Sequence, residues 1–189
     1  MPLLVLLNGA PASGKSTIAA ALVDRRQLSL NLDIDVVRGQ LGCWLDEPSE
    51  AGLAARSLAV AMARTHLQSG RDVFVPQFLV RPGFADELAS LAADCDAEFV
   101  SIALIVDRET ARSSFAARTT EAVERTHRDA AAMVHRSPDA DPVGDMFDRF
   151  ATYLDSCSDV HRIVADRGEV DQTMRSVENI ISRYEPGGV

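Results

Sequence analysis

Six apolar residues in a row, Pro2-Leu3-Leu4-Val5-Leu6-Leu7, run through Asn8 into Gly9-Ala10-Pro11-Ala12-Ser13-Gly14-Lys15-Ser16-Thr17. A short continuous apolar run without polar alternation is the pattern of a strand buried on both faces. Further apolar runs alternate with helical patterns along the chain, the signature of a parallel α/β sheet. The spacing predicts a helix from Lys15 to Arg26 with Ile18, Ala19, Leu22 and Val23 inward, a second strand at 28–32 and a brief helix near 36–41. A longer helix over 50–69, stopped by Gly70, leads to a third strand at 72–78. Pro76 must sit near the end of that strand, because proline cannot donate to a ladder. Pro82 opens a helix to about Asp94, and 98–106 form a fourth strand. Helical pattern then runs from 108 to about 136, and 137–144 form a loop. A helix at 144–156, a fifth strand at 160–165 and a last helix at 169–183 follow, with a frayed tail at 186–188.

The 189 residues suit one domain, 1–189, and 47% hydrophobic residues suffice for a real core. No stretch approaches about 20 apolar residues, so no membrane span is expected. The apolar start lacks a basic leader and is too short for a signal peptide. Cys43, Cys95 and Cys157 are odd in number and far apart, which suits a reducing cytoplasm better than a disulfide framework or a metal knuckle. His66, His127, His135 and His161 likewise form no metal-ligand spacing. A formal charge of -9 counts against nucleic acid as a partner and leaves a small-molecule partner favoured, in a monomer or homodimer. The basic count is lopsided: Lys15 is the only lysine beside 18 arginines.

That lysine sits in a segment matching G-x-x-x-x-G-K-[ST], directly after a strand and opening a helix. Gly9 and Gly14, with Ala12 and Ser13 between them, allow successive N–H groups to turn inward around phosphate oxygens. The helix start at Ser16 and Thr17 adds partial positive charge. Lys15 reaches the β- and γ-phosphates of ATP as a compact point charge, and the Ser16 hydroxyl is a ligand for Mg2+. The second strand ends in Asp33-Ile34-Asp35-Val36-Val37-Arg38. Ligands in such sheets bind beyond the carboxyl ends of the strands. One carboxylate there can orient an acceptor hydroxyl and take its proton, and the other can stand on the magnesium side. Either aspartate could instead cap the short helix. Arg38 shares a helix face with Asp35 and could clamp an acceptor anion or pair with Asp35.

Gly9 through Thr17, followed by Asp-x-Asp after a short second strand, resembles the small P-loop kinases of the nucleotide and shikimate kinase type. It also resembles the AAA_33-like group that includes the phage polynucleotide kinase domain, chloramphenicol phosphotransferase and zeta toxin. The resemblance is sharp over residues 3–38 and architectural beyond. It implies a three-layer P-loop NTPase sandwich with five parallel strands in the order 2-3-1-4-5, helices on both faces and an arginine-rich lid. It also implies that Asp35 is the catalytic base and that Asp33 stands near Mg2+. The third strand departs from the common P-loop pattern, ending in Pro76-Gln77 with no acid. That shifts magnesium toward Ser16 and Asp33 and counts against a motor or AAA-type ATPase. Asp107 follows the fourth strand, where it is expected to cap the next helix. Gln77 and Arg81 are candidates to contact the acceptor, and Trp44 with Leu41, Leu45 and Leu53 is either an apolar wall of its pocket or core.

Residues 108–136 form the lid-like segment, the least acidic part of the chain. Arg118 and Arg125 are the candidates to close on the phosphates, against a solvated helix with Glu121–Arg125 and Glu124–Arg128 pairs. Arg167, after the fifth strand, is a candidate to stack on adenine. The chain is thus expected to move the γ-phosphate of ATP to a hydroxyl of a small molecule. The competing readings are a polynucleotide 5′-hydroxyl kinase and a nucleotide-binding regulatory protein.

Overall fold

The computed structural model describes residues 1–120, 141–166 and 168–185, with side chains in the fifth helix described as far as Ala116. Five strands form one all-parallel sheet: β1 (Leu3–Gly9), β2 (Leu30–Asn31), β3 (Val73–Gln77), β4 (Glu98–Ile105) and β5 (His161–Val164). Their order is β2-β3-β1-β4-β5, as the resemblance implied. The helices are α1 (Lys15–Asp24), α2 (Ile34–Gly39), α3 (Pro48–Gln68), α4 (Gly83–Asp94), α5 (Arg108–Thr120), α6 (Pro142–Asp155) and α7 (Val170–Ile181).

All seven residues of β1 are buried, because β3 and β4 flank it and helices cover both faces. Period-2 alternation sorts its side chains. Leu3, Val5 and Leu7 pack with Ile18 and Leu22 of α1 and with Met174 and Val177 of α7. Leu4 and Leu6 face α3 and α4. Beside them, Ala103 of β4 packs under Phe150 and Leu154 of α6. Helix α3 meets the sheet through Ala55, Ala59, Ala63 and Leu67, an i,i+4 ridge whose small side chains let the helix lie close. None of the helices described is long and apolar enough to cross a membrane.

Three boundaries differ from expectation, each for a local reason. The second strand shrinks from 28–32 to Leu30–Asn31 because Leu28 adopts a left-handed φ of 56° and cannot extend. The short helix begins at Ile34, two residues early, because Asp33 caps it. The sixth helix begins at Pro142 rather than 144, with Asp141 as cap and proline in the first turn, where its missing N–H is harmless.

Pro76 lies within β3 at no cost to the ladder. Asp72 and Phe74 turn their carbonyls toward β2, accepting from Leu30 and Leu32 at 2.9 and 2.8 Å. Two residues on, Pro76 turns the same way, where β2 has already ended.

The close approach of α3 makes a measurable claim. Ala59 is 2% exposed, whereas Ala54 on the same helix is exposed. Ala59→Leu should destabilise by about 1–3 kcal/mol through overpacking, and Ala54→Leu should stay near wild type in urea unfolding.

Candidate functional site

The site begins where β1 ends. Asn8 is only 2% exposed, and both ends of its amide are used. Its Oδ1 accepts from the N–H of Gly9 at 2.8 Å and of Leu79 at 2.9 Å, and its Nδ2 donates to the Leu79 carbonyl at 3.2 Å. These bonds fasten the start of the phosphate loop to the chain that leaves β3. The sequence signalled Asn8 only as the polar residue closing an apolar run.

A Cβ at Gly9 would collide with Ser13 Oγ and stand 2.9 Å from the Leu104 carbonyl, so the loop passes β4 only as glycine. Gly14 has φ 89°, and Ala12 takes φ 62° without the freedom of glycine. That left-handed alanine costs about 1–2 kcal/mol, which the surrounding fold must supply. Ser13 Oγ is buried without a hydrogen-bond partner. Lys15 Nζ donates to the Ala10 carbonyl at 2.9 Å, which folds its ammonium back onto the loop.

Ser16 Oγ donates to Asp33 Oδ2 at 3.3 Å, joining the first turn of α1 to the end of β2. The other oxygen of Asp33 accepts from the Asp35 N–H at 2.9 Å and caps α2. Asp33 therefore caps, as one alternative had it, while also accepting from Ser16 of the phosphate loop. Burial, and next the negative charge of Asp35, push the Asp33 pKa above its usual 3.8, against hydrogen bonds from neighbouring N–H groups and Ser16. Ser16 and Asp33 set two hard oxygen donors side by side. Among the described residues no group of three or more His, Cys, Asp or Glu could cage a metal. A cation here would complete its shell from phosphate oxygens and water, the habit of magnesium.

Asp35 lies in the first turn of α2, 47% exposed, paired with Arg38 Nη1 at 3.0 Å. The Arg38 guanidinium also lies 4.6 Å from the ring centroid of Trp44, which is 4% exposed. Arg38 is thus paired with Asp35, and Trp44 is core that carries it. Arg38 Nε is buried without a partner.

Two clefts open at the carboxyl end of the sheet, the first of them lined by the loop. One, of about 160 Å3, is lined by Ala12, Ser13, Gly14, Thr110, Asp166 and Thr173 among others. It brings the phosphate loop together with the end of β5, the region expected to hold a base; Arg167 itself lies outside the described residues. The other, of about 530 Å3, holds Arg81 and runs along the chain after β3. Gln77 sits opposite Asn8 in register at the end of β3, with its Oε1 buried and unpartnered. Sequence reasoning missed Thr110 in the first cleft, and Arg56 and Arg149 in the second. Their helical spacing carried no sign of which way they turn.

Asp107 accepts from the Thr110 N–H at 2.9 Å and from its hydroxyl, so it caps α5 as expected. Those bonds hold its pKa below the usual value. Nearby, Arg108 and Arg112 pair with Asp141, and Arg108 with Asp148 at 3.0 Å, clasping α5 to α6. Arg118 lies on α5 with its side chain outside the described residues, as do Arg125 and Arg128 entirely.

The raised Asp33 pKa gives a signed pH prediction. An ionised Asp33 penalises the folded state, so that penalty is absent below pH 3.8 and grows as pH rises through the folded pKa. Asparagine caps as well as aspartate. Asp33→Asn should therefore raise the melting temperature of the nucleotide-free protein at neutral pH, and the gain should fade as pH falls toward 4.

With this geometry in place, comparison with known proteins becomes informative. The sequence pattern of the family AAA_33, described as an AAA domain, matches residues 4–138. Among curated proteins none matches. Solved structures are similar over nearly the whole chain. A protein of Chloroflexus aurantiacus assigned as a kinase superposes with TM-score 0.69 at 16% identity, covering 98% of this chain and 99% of its own. Chaetomium thermophilum Kti12, in complex with ADP-AlF3, gives 0.64 at 16%, covering 97% and 100%. The Mycobacterium tuberculosis APS kinase CysC, in complex with AMPPNP and APS, gives 0.60 at 18%, covering 95% and 97%. At these identities the likeness establishes the fold. The AAA label that the acid-free end of β3 argued against does attach to the family, although β3 still ends in Gln77. Phosphate loop, strand order and matched sequence agree: the chain belongs to the AAA_33 family of AAA domains and has the fold of the small P-loop kinases.

Proposed function

We propose that the protein is an ATP-dependent phosphotransferase that moves the γ-phosphate to a hydroxyl of a small molecule, with Asp35 as base. One observation carries this reading: Ser16 of the phosphate loop is bonded to Asp33, and a half-exposed carboxylate, Asp35, follows two residues later. A phosphate loop alone binds nucleotide. A carboxylate beside it also offers the acceptor proton a destination.

In this reaction the acceptor oxygen bonds to the γ-phosphorus as its proton passes to Asp35. The bond from the γ-phosphorus to the bridging oxygen breaks, and ADP leaves. Arg38 and Trp44 restrain Asp35. Lys15 exchanges the Ala10 carbonyl for phosphate oxygens. Ser16 and Asp33 would hold Mg2+, which when bound offsets phosphate charge. Adenine occupies the 160 Å3 cleft, with Arg167 stacking on it. Gln77 and Arg81 meet the acceptor, and Arg118 and Arg125 supply positive charge to the phosphoryl group in flight. Charge complementarity supports a small acceptor over a polynucleotide, given the net charge of -9.

Transfer from labelled ATP to a metabolite panel tests the assignment. Asp35→Asn should keep ATP affinity in calorimetry and lose at least about 100-fold in transfer. Undiminished transfer would overturn the role of Asp35, and tight ATP binding with no acceptor phosphorylated would favour a regulatory protein. Lys15 allows a second check, since the only other amine is the N-terminus. Saturating ATP should protect one of these two sites from an amine reagent, and a fully reactive Lys15 would refute the phosphate-loop contact.

A further inference from the structure

The larger cleft carries an imbalance of charge of which the proposed reaction uses only Arg81. Its volume of about 530 Å3 is that of a small-molecule site. Three arginines line it, Arg56, Arg81 and Arg149, against one acid, Glu87. They come from α3, the chain after β3, and α6. In a chain of net charge -9, Arg25, Arg26, Arg38, Arg64, Arg108 and Arg112 are ion-paired to carboxylates. None of the three lining arginines forms an ion pair with any described residue.

Two further features point the same way. The Arg56 guanidinium lies over the Phe84 ring, 5.2 Å from its centroid, a cation–π contact that holds it at the cleft. Helix α4 starts at this cleft with Gly83, and its cap residue, Pro82, offers no side-chain acceptor. The free N–H groups of its first turn add to the positive potential. Leu79 on its wall is bonded to Asn8, the residue before the phosphate loop.

We infer that this cleft is the acceptor subsite and that the acceptor is an anionic alcohol, a small hydroxy compound bearing a carboxylate, phosphate or sulfate group. Arg81 and Arg149 grip the anion, and Arg56 backs it from α3. The hydroxyl part of the inference rests on the phosphotransferase reading. The anion site stands on the arginines alone.

Two experiments separate these parts. In the first, inorganic sulfate is titrated calorimetrically into protein saturated with magnesium and AMPPNP, so that the phosphate loop is filled. Arg81→Gln/Arg149→Gln should weaken sulfate binding at least about tenfold, as loss of charged hydrogen bonds predicts. Both positions are exposed, so the fold should survive, and Arg175→Gln on exposed α7 surface should bind as wild type does. Absent binding, or equal binding by the double variant, overturns the anion site.

The second measures transfer from labelled ATP to matched pairs: a hydroxy acid and its amide, a sugar phosphate and the free sugar, a hydroxyalkyl sulfate and the parent diol. One anionic member should be preferred at least about 100-fold in kcat/KM, identifying the anion, and Arg81→Gln should raise its KM about tenfold with KM for ATP unchanged. Equal turnover of neutral partners, or transfer only to a 5′-hydroxyl oligonucleotide, overturns the anionic small-molecule acceptor while leaving a kinase. Arginine-dependent sulfate binding with no transfer to any alcohol leaves the anion site and refutes the phosphotransferase.

Discussion

Everything in this protein depends on keeping β1 dry. Its seven buried residues have no water for their N–H and C=O groups, so β3 and β4 must supply every partner, and helices must cover both faces. A strand so enclosed can leave the sheet only at its carboxyl end. The phosphate loop is that exit, and Gly9 exists because the Leu104 carbonyl of β4 presses against it. Core packing and ligand chemistry therefore meet at one residue boundary.

Beyond that boundary, polar groups replace apolar contacts as the organising force. Asn8 ties the loop to the end of β3, and Ser16 ties α1 to Asp33. Asp33 in turn caps α2, which carries Asp35, Arg38 and, through Arg38, Trp44. The chain of contacts has a cost. Asp33 is buried beside a like charge, so its ionised form is disfavoured where it stands. A divalent cation at Ser16 and Asp33 would offset that charge. Ala12 and the unpartnered oxygens of Ser13 and Gln77 are further groups held at some expense around the same end of the sheet.

Much of this was legible in the residues. The phosphate loop and the parallel sheet followed from an apolar run joined to a glycine-rich loop and from the alternation behind it, while the strand order came from the resemblance to the small P-loop kinases. Pro76 near a strand end and Asp107 as a cap followed from the missing N–H of proline and the short reach of aspartate. What failed was local: β2 is two residues long because Leu28 turns left-handed, and no residue type announces that at leucine. Asp33 does cap α2, and its second oxygen still reaches Ser16, so capping does not take it away from the phosphate loop.

The sequence by itself determined the fold class and the phosphate end of the site, because both rest on contiguous segments whose period and glycine content restrict the backbone. Only the tertiary structure decided what gathers around that end. Arg38 meets Asp35 and Trp44 through helix geometry, whereas Arg56, Arg81 and Arg149 come from three separate stretches of chain far apart in sequence. No spacing rule links residues so far apart; packing α3 and α6 against the same face of the sheet brings their charges into one cleft.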